Sequence, residues 1–387
     1  MSFYHKLGDM PRKKHTTFPK PDGTLFKEEL VSTQGFSSIY SNKYHYWEPA
    51  KTISIKELFL YEKVEWEDCL LENMHFYTDK LIREGDFFSS RIEYMHNPNT
   101  KVYFGRPNKN PDIFYRNSYA HEYIFVHRGS GVLKSEYGNL FFEPWDQIIV
   151  PMGTTYQMHF DTLNDNKIMV VESDTAFTIP RHYRNEFGQL EEHAPYEERD
   201  FKFPSELDPK DEKGEFKVIT KAGKRYFEYL MPHHPFDVVG WDGYLFPFKL
   251  NMRDYNPKTG RIHLPPPIHL AFVTKSSVLC NFNPRFFDWH EQAIPAPYYH
   301  SNVESTEILY YVHGDFMSRS GVDIGSVTMH PLGIPHGPQP GKYEGSVGKK
   351  WTDEYAVMLD TFGPLLPTSN VKACQDKDYW LSWMKEG

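Results

Sequence analysis

Cysteine is scarce: Cys69, Cys280 and Cys374 are the only three in 387 residues. They cannot build a disulfide framework, and their spacing offers no paired zinc ligands. Cys280, within an apolar segment, reads as a core residue. No apolar run approaches the roughly 20 residues needed to cross a bilayer, so no membrane partner is expected. Positive charge is also short, with 43 Lys and Arg against 52 Asp and Glu and a net charge of -9. A general attraction to phosphate backbones is therefore missing, and nucleic acid is not an expected partner. The segment RPNKN lacks the aromatic and basic alternation of a single-strand surface. EGSVGKK at 344–350 lacks the glycine spacing and terminal hydroxyl of a phosphate loop. Arg12, Lys13 and Lys14 precede no apolar stretch of the secretory kind, which makes the cytoplasm the default compartment.

What the chain has is aromatic and turn-forming residues: 29 Phe, 26 Tyr and 8 Trp beside 29 Pro and 25 Gly. That mixture favours short strands and elaborate loops over long helices. The order HEYIFV (121–126), a Gly129/Gly131 turn, VLKSEYGNLFF and DQIIVPMG (146–153) reads as strand, glycine turn, strand and Pro/Gly turn. The same order returns in TEILYYVHGDF (306–316), GSVTMHPLGIPHG (325–337) and YAVMLDTF (355–362). A mainly β protein of two related β-barrel modules is the simplest expectation, since barrel closure satisfies sheet edges. The divisions follow as an N-terminal arm or sheet extension over 1–50, a first module over 51–200 and a second over 201–387. Residues 55–95 fit either strands or one amphipathic helix, and 185–215 reads as the connection between modules.

In the second module, His300, Glu307 and His336 stand out. Two imidazoles and a carboxylate arriving from successive strands have the composition of a facial triad, which holds Fe(II) and leaves positions for oxygen and substrate. Glu307 begins an apolar strand, where an unpaired charge is costly; metal coordination, a salt bridge or a polar edge would each remove that cost. Gly314 and Gly333 suit tight turns, and Pro331 and Pro335 restrict the backbone leading to His336.

The ordered set His300, Asn302, Glu307 and Gly314, then Gly325, Pro331, Gly333 and His336, resembles the paired motifs of the cupin superfamily, with Asn302 replacing a frequent second histidine. The first module keeps Glu122, Gly129, Pro151 and Gly153 but has Tyr156 where the second motif would supply histidine. His121 adjoins Glu122 and so points to the opposite face, which leaves this copy without a metal site. VVGWDGYLFPFKLN (238–251), PAPYYHSN (295–302) and MHPLGIPHGP (329–338) further resemble the homogentisate 1,2-dioxygenase family.

That resemblance implies a bicupin of two jelly-roll barrels, and Fe(II) on His300, Glu307 and His336, with no flavin or nicotinamide. It implies a base at His263, with His269 nearby, and a second interior histidine at His330 that contacts substrate or dioxygen. His336, Tyr298, Tyr299, Phe316 and Arg319 become candidates for substrate contact; Arg319, Lys275 and Arg285 are the cations available to a substrate carboxylate. The implied reaction joins homogentisate and O2 to give maleylacetoacetate in tyrosine and phenylalanine catabolism, in a homo-oligomer of trimer or hexamer form. Two departures bear on substrate: Phe316 stands where the family has a tyrosine, and the interval from His300 to Glu307 is one residue longer. Gentisate or another hydroquinone remains open, as do a cupin isomerase and a noncatalytic small-acid-binding protein.

Overall fold

Short spans in which β-branched and aromatic residues alternate with polar ones pack well on a pleated surface and poorly on a helix. The computed structural model, which describes residues 3–60, 64–264 and 266–384, follows that rule: among them the regular elements are strands and brief 3-10 turns, with no α-helix. No described helix is long and apolar enough to cross a membrane. Residues 55–95, open between helix and strand, form Ser54–Leu60, Met74–Phe76 and Ile92–His96 around the turn Thr78–Lys80. Within the first 50 residues, His5–Gly8, Lys27–Gln34 and Ser37–His45 join Val238–Gly243 in a four-stranded sheet.

The internal repeat survives as strand order. In one sheet the strand His121–Arg128 lies between Asp146–Val150 and Lys167–Ser173, followed outward by Thr100–Gly105 and Ile92–His96. In another, Ser305–His313 lies between Val327–His330 and Tyr355–Phe362, followed by Ser277–Phe282 and Leu270–Val273. The two halves exchange edge strands. Phe248–Asn251 pairs with Asp146–Val150, while Met74–Phe76 pairs with Val327–His330. These sheets pack face to face through one core, where Ile308, Tyr310 and Leu359 meet Phe104, Phe125 and Met169, and the Phe104 and Tyr310 rings lie 5.1 Å apart.

The expectation of two closed jelly-roll barrels is overturned. Among the described residues all five sheets are open, with strand orders that end at both edges. The halves depart from closure differently. The face carrying Glu122, Ile124 and Val126 is covered by a seven-stranded sheet that supplies Tyr115, Tyr156, Met158 and Ile219. The face carrying Glu307 and Tyr311 instead meets loops bearing His300, Phe316 and His336. Composition explains the difference: Pro331, Pro335, Pro338 and Pro340 fall within ten residues, and Pro295 and Pro297 precede His300. A segment so depleted of amide donors cannot add the ladder that closure requires.

Candidate functional site

Glu307 pairs with His330 on one neighbouring strand and with Asp360 on the other. Directly opposed residues of antiparallel strands share a face, so His330, Glu307 and Asp360 form a row. His300 and His336 arrive from the loops above and are locked together by reciprocal backbone hydrogen bonds, each N–H donating to the other's carbonyl at 2.9 Å. The Gly333 N–H donates to the Asn302 carbonyl at 2.7 Å, and Gly333 turns at φ 72°. Gly314 ends the glutamate strand at φ 97°, where an added Cβ would come within 2.5 Å of the Asp353 carbonyl. A side chain there would force the turn apart.

His300, Glu307 and His336 each offer one ligand atom, and these lie within 4.8 Å of one another. Both imidazoles place Nε2 3.5 Å from the Glu307 carboxylate. Their Nδ1 atoms face backbone carbonyls, His300 toward Tyr298 at 3.2 Å and His336 toward Ile334 at 3.0 Å. A carbonyl only accepts, so in the neutral ring the proton sits on Nδ1 and the Nε2 lone pair is bare. The buried Nε2 of His336 has no hydrogen-bond partner among the described residues. Two lone pairs and a carboxylate therefore converge on one point, an arrangement that a divalent cation relieves and that matches the donor set of a facial site. The residues fit a metal ion on this ground.

His330 is fully buried and sits beneath this group. Its Nδ1 lies 2.8 Å from Glu307 Oε1, and its ring stacks on His336 with centroids 4.5 Å apart. Because a carboxylate accepts, Nδ1–H donates and fixes the orientation of Glu307. Burial pushes the His330 pKa down to about 4 despite Glu307. For Glu307 burial acts upward, but the surrounding imidazoles of His300, His330 and His336 hold it well below the usual carboxylate range. His300 is raised, chiefly by its contact with Glu307. Asp360 is pushed up to about 8 by burial and by the neighbouring Glu307.

The remaining predicted residues separate into rim and floor. His263 is at the exposed rim, with Nδ1 3.0 Å from Asp288 Oδ2 and its ring 5.4 Å from that of Tyr298, which in turn lies 6.3 Å from His300. His269 packs on Phe282 at 4.6 Å, with Nδ1 3.3 Å from the Asn281 carbonyl; burial drives its pKa down to about 3. Tyr298 and Tyr299 are about half exposed. Tyr299 stacks near Tyr343 and presses against Gly337, where a Cβ would approach its ring to 2.5 Å. Phe316 is buried against Tyr311 at 4.6 Å. Arg319 is buried too: its guanidinium donates to the Ser318 and Gly337 carbonyls and lies over Trp383, while its Nε lacks a partner. Lys275 is exposed, and Arg285 faces Glu354 at 3.6 Å, so neither is brought into this group. Cys280 is buried, as its apolar setting implied.

Sequence reasoning passed over Asp360 and Asp288. Asp360 interrupts the apolar run YAVMLDTF much as Glu307 interrupts its own strand, and that was the available signal. Asp288, in RFFDWHEQ, carried none, because its partner His263 is 25 residues away.

Residues 99–252 match the family model for the homogentisate 1,2-dioxygenase N-terminal region. A putative dioxygenase of Saccharolobus solfataricus is 38% identical over 386 residues, covering 99% of each chain. The homogentisate 1,2-dioxygenase of Bradyrhizobium diazoefficiens is 28% identical over 281 residues, and the match spans 68% of this chain but 61% of that enzyme. A solved deletion mutant of Bacillus subtilis oxalate decarboxylase aligns with 78% of the chain at 13% identity and a TM-score of 0.34. On the full-length match the chain belongs to the family of the Saccharolobus solfataricus putative dioxygenase, and the family model over residues 99–252, with the bacterial relatives, ties that family to the homogentisate 1,2-dioxygenases.

Proposed function

We propose that this protein is an Fe(II)-dependent ring-cleaving dioxygenase that converts homogentisate and O2 to maleylacetoacetate, with His300, Glu307 and His336 as the metal ligands. The observation carrying this reading is the convergence of two bare Nε2 lone pairs on the Glu307 carboxylate. When bound, the iron would supply the one-electron chemistry that lets O2 react with an electron-rich ring. Both oxygen atoms enter the product, so atoms balance without a further reductant.

The chain's own groups carry the other tasks. Asp288 accepts from His263 Nδ1–H, which leaves Nε2 free to take a phenolic proton from a ligand at the rim. His330 holds Glu307 in place through Nδ1–H. Arg319 is the cation best suited to a substrate carboxylate: it is buried beside Phe316, and its Nε is unpartnered. Tyr298 and Tyr299 offer ring surfaces at the mouth, close to His300 and Gly337. Phe316 gives a second reading, gentisate or another hydroquinone acid, because its ring provides no directional hydroxyl.

The test is oxygen uptake by anaerobically prepared, Fe(II)-loaded protein given homogentisate, with mass analysis of the product. Uptake equimolar with substrate, a product heavier by both oxygen atoms, and loss of both in His336→Ala are expected. Absence of uptake with iron demonstrably bound would remove homogentisate, and gentisate would then be tried under the same conditions.

A further inference from the structure

Asp360 occupies the place that Glu172 holds in the other half. Glu172 pairs with Glu122 as Asp360 pairs with Glu307, on the equivalent neighbouring strand. In the first half this second carboxylate is fully answered by protein: Lys221 Nζ donates to both Glu172 oxygens at 2.6 and 2.7 Å, and the Asn117 amide donates at 3.1 Å. In the second half no such donor is present among the described residues. Asp360 Oδ1 is shielded from solvent and has no hydrogen-bond partner among the described residues. Its carboxylate shares a face with Glu307, yet it lies outside the tight group formed by His300, Glu307 and His336.

A shielded carboxylate oxygen without a donor costs free energy, and a fold that retains one leaves room for a donor carried by a ligand. We propose that Asp360 is a positioning residue that accepts a hydrogen bond from the protic group held at the triad, a water in the resting site and a hydroxyl of the aromatic ligand after exchange. This rests on the metal-site reading above and adds to it a role for a residue outside the ligand set. The hydroxyl approaches with Glu307 and the imidazoles on one side and Asp360 on the other, so its O–H direction is fixed before any proton moves. Asparagine in this place keeps an accepting oxygen on a different, amide group; leucine keeps the volume and loses the acceptor.

The experiment uses ion-free full-length protein, Co(II) as a visible-absorbing probe and homogentisate added anaerobically, with Asp360→Asn and Asp360→Leu beside the parent. The first readout is Co(II) stoichiometry, the second the change of the Co(II) spectrum as homogentisate is added, and thermal melting checks folding. The expected result is one Co(II) per chain in all three proteins. Homogentisate affinity should fall by about tenfold or more in Asp360→Leu, with Asp360→Asn between it and the parent. Equal affinity in folded parent and variants would overturn the proposal while leaving the metal site intact. Loss of Co(II) binding in Asp360→Asn would overturn it in another way, by making Asp360 a ligand. A parent that binds no Co(II) would remove the metal site itself, and this proposal with it.

Discussion

Glu122 and Glu307 hold corresponding places in two sheets of the same strand order, yet their surroundings differ in kind. Around Glu122 every demand is met by protein. Arg91 forms an ion pair with it, Tyr156 donates its hydroxyl at 2.8 Å, and Arg91 also reaches the Tyr156 oxygen at 2.9 Å. A seven-stranded sheet lies over this group and keeps water out. Around Glu307 stand three imidazoles, His330 donating its Nδ1–H and His300 and His336 turning bare nitrogens to the carboxylate, with loops rather than a sheet above. The same position thus holds a self-sufficient ion pair in one half and an open donor set in the other. The switch is carried by few substitutions: tyrosine for histidine at 156 against 336, and valine for histidine at 150, which faces Glu122 as His330 faces Glu307.

The comparison can be broken most forcefully at Arg91. Arg91→Met would leave Glu122 as an uncompensated buried charge, and about 3–5 kcal/mol of stability should be lost. Urea unfolding measures it, and Co(II) stoichiometry should stay at the parent value in whatever fraction folds. His336→Ala acts on the other half: ion affinity should fall by more than about a hundredfold, because one of three ligands is gone, with the ion-free protein melting close to the parent. Competitive titration against a chelating dye would expose a smaller loss, and with it an ion site that does not depend on His336. Next comes His330→Leu, which removes the N–H that orients Glu307 and leaves the three ligands themselves unchanged. A loss of about 10- to 100-fold in ion affinity is expected, and unchanged affinity would show that His330 does not orient the carboxylate.

The smallest effect concerns what the halves share. His127, on the Glu122 strand, forms a hydrogen bond with the Tyr310 hydroxyl, on the Glu307 strand. Burial, with Lys167 and Arg128 nearby, drives the His127 pKa down to about 3 from the ordinary 6.5. Between those values the unfolded chain binds a proton that the folded one excludes, so stability rises with pH across the window and is lost as pH falls from 6.5 toward 3. Its share is at most about 1.4 kcal/mol per pH unit. Urea midpoints measured across that window should slope less in His127→Gln than in the parent; identical slopes would exclude His127 as a source of acid sensitivity.

Much of the strand order was legible because its signals are local. The apolar run YAVMLDTF became the strand Tyr355–Phe362, and HEYIFV opens the strand His121–Arg128. The glycines that mark the repeat adopt positive φ at Gly129, Gly153, Gly314, Gly325 and Gly333. Closure was not legible, since it depends on whether edges meet in space. The exchanged strands Met74–Phe76 and Phe248–Asn251 pair with partners far away in sequence, and no local pattern specifies such partners. The same holds for the site. His300, Glu307 and His336 could be selected by residue type and spacing, whereas Arg91 beside Glu122 and Asp288 beside His263 answer charges that only folding brings near.

By itself the sequence determined which residues can carry charge or a lone pair, where glycine permits a turn and where proline forbids a ladder, because those are properties of single residues and their neighbours along the chain. Tertiary structure alone decided which carboxylate is answered by protein and which is left facing bare nitrogens. That choice turns on distances of a few ångströms between separate strands and loops, such as the 4.8 Å span that gathers His300, Glu307 and His336. At that range the electrostatics of a buried group are set by what the fold places beside it.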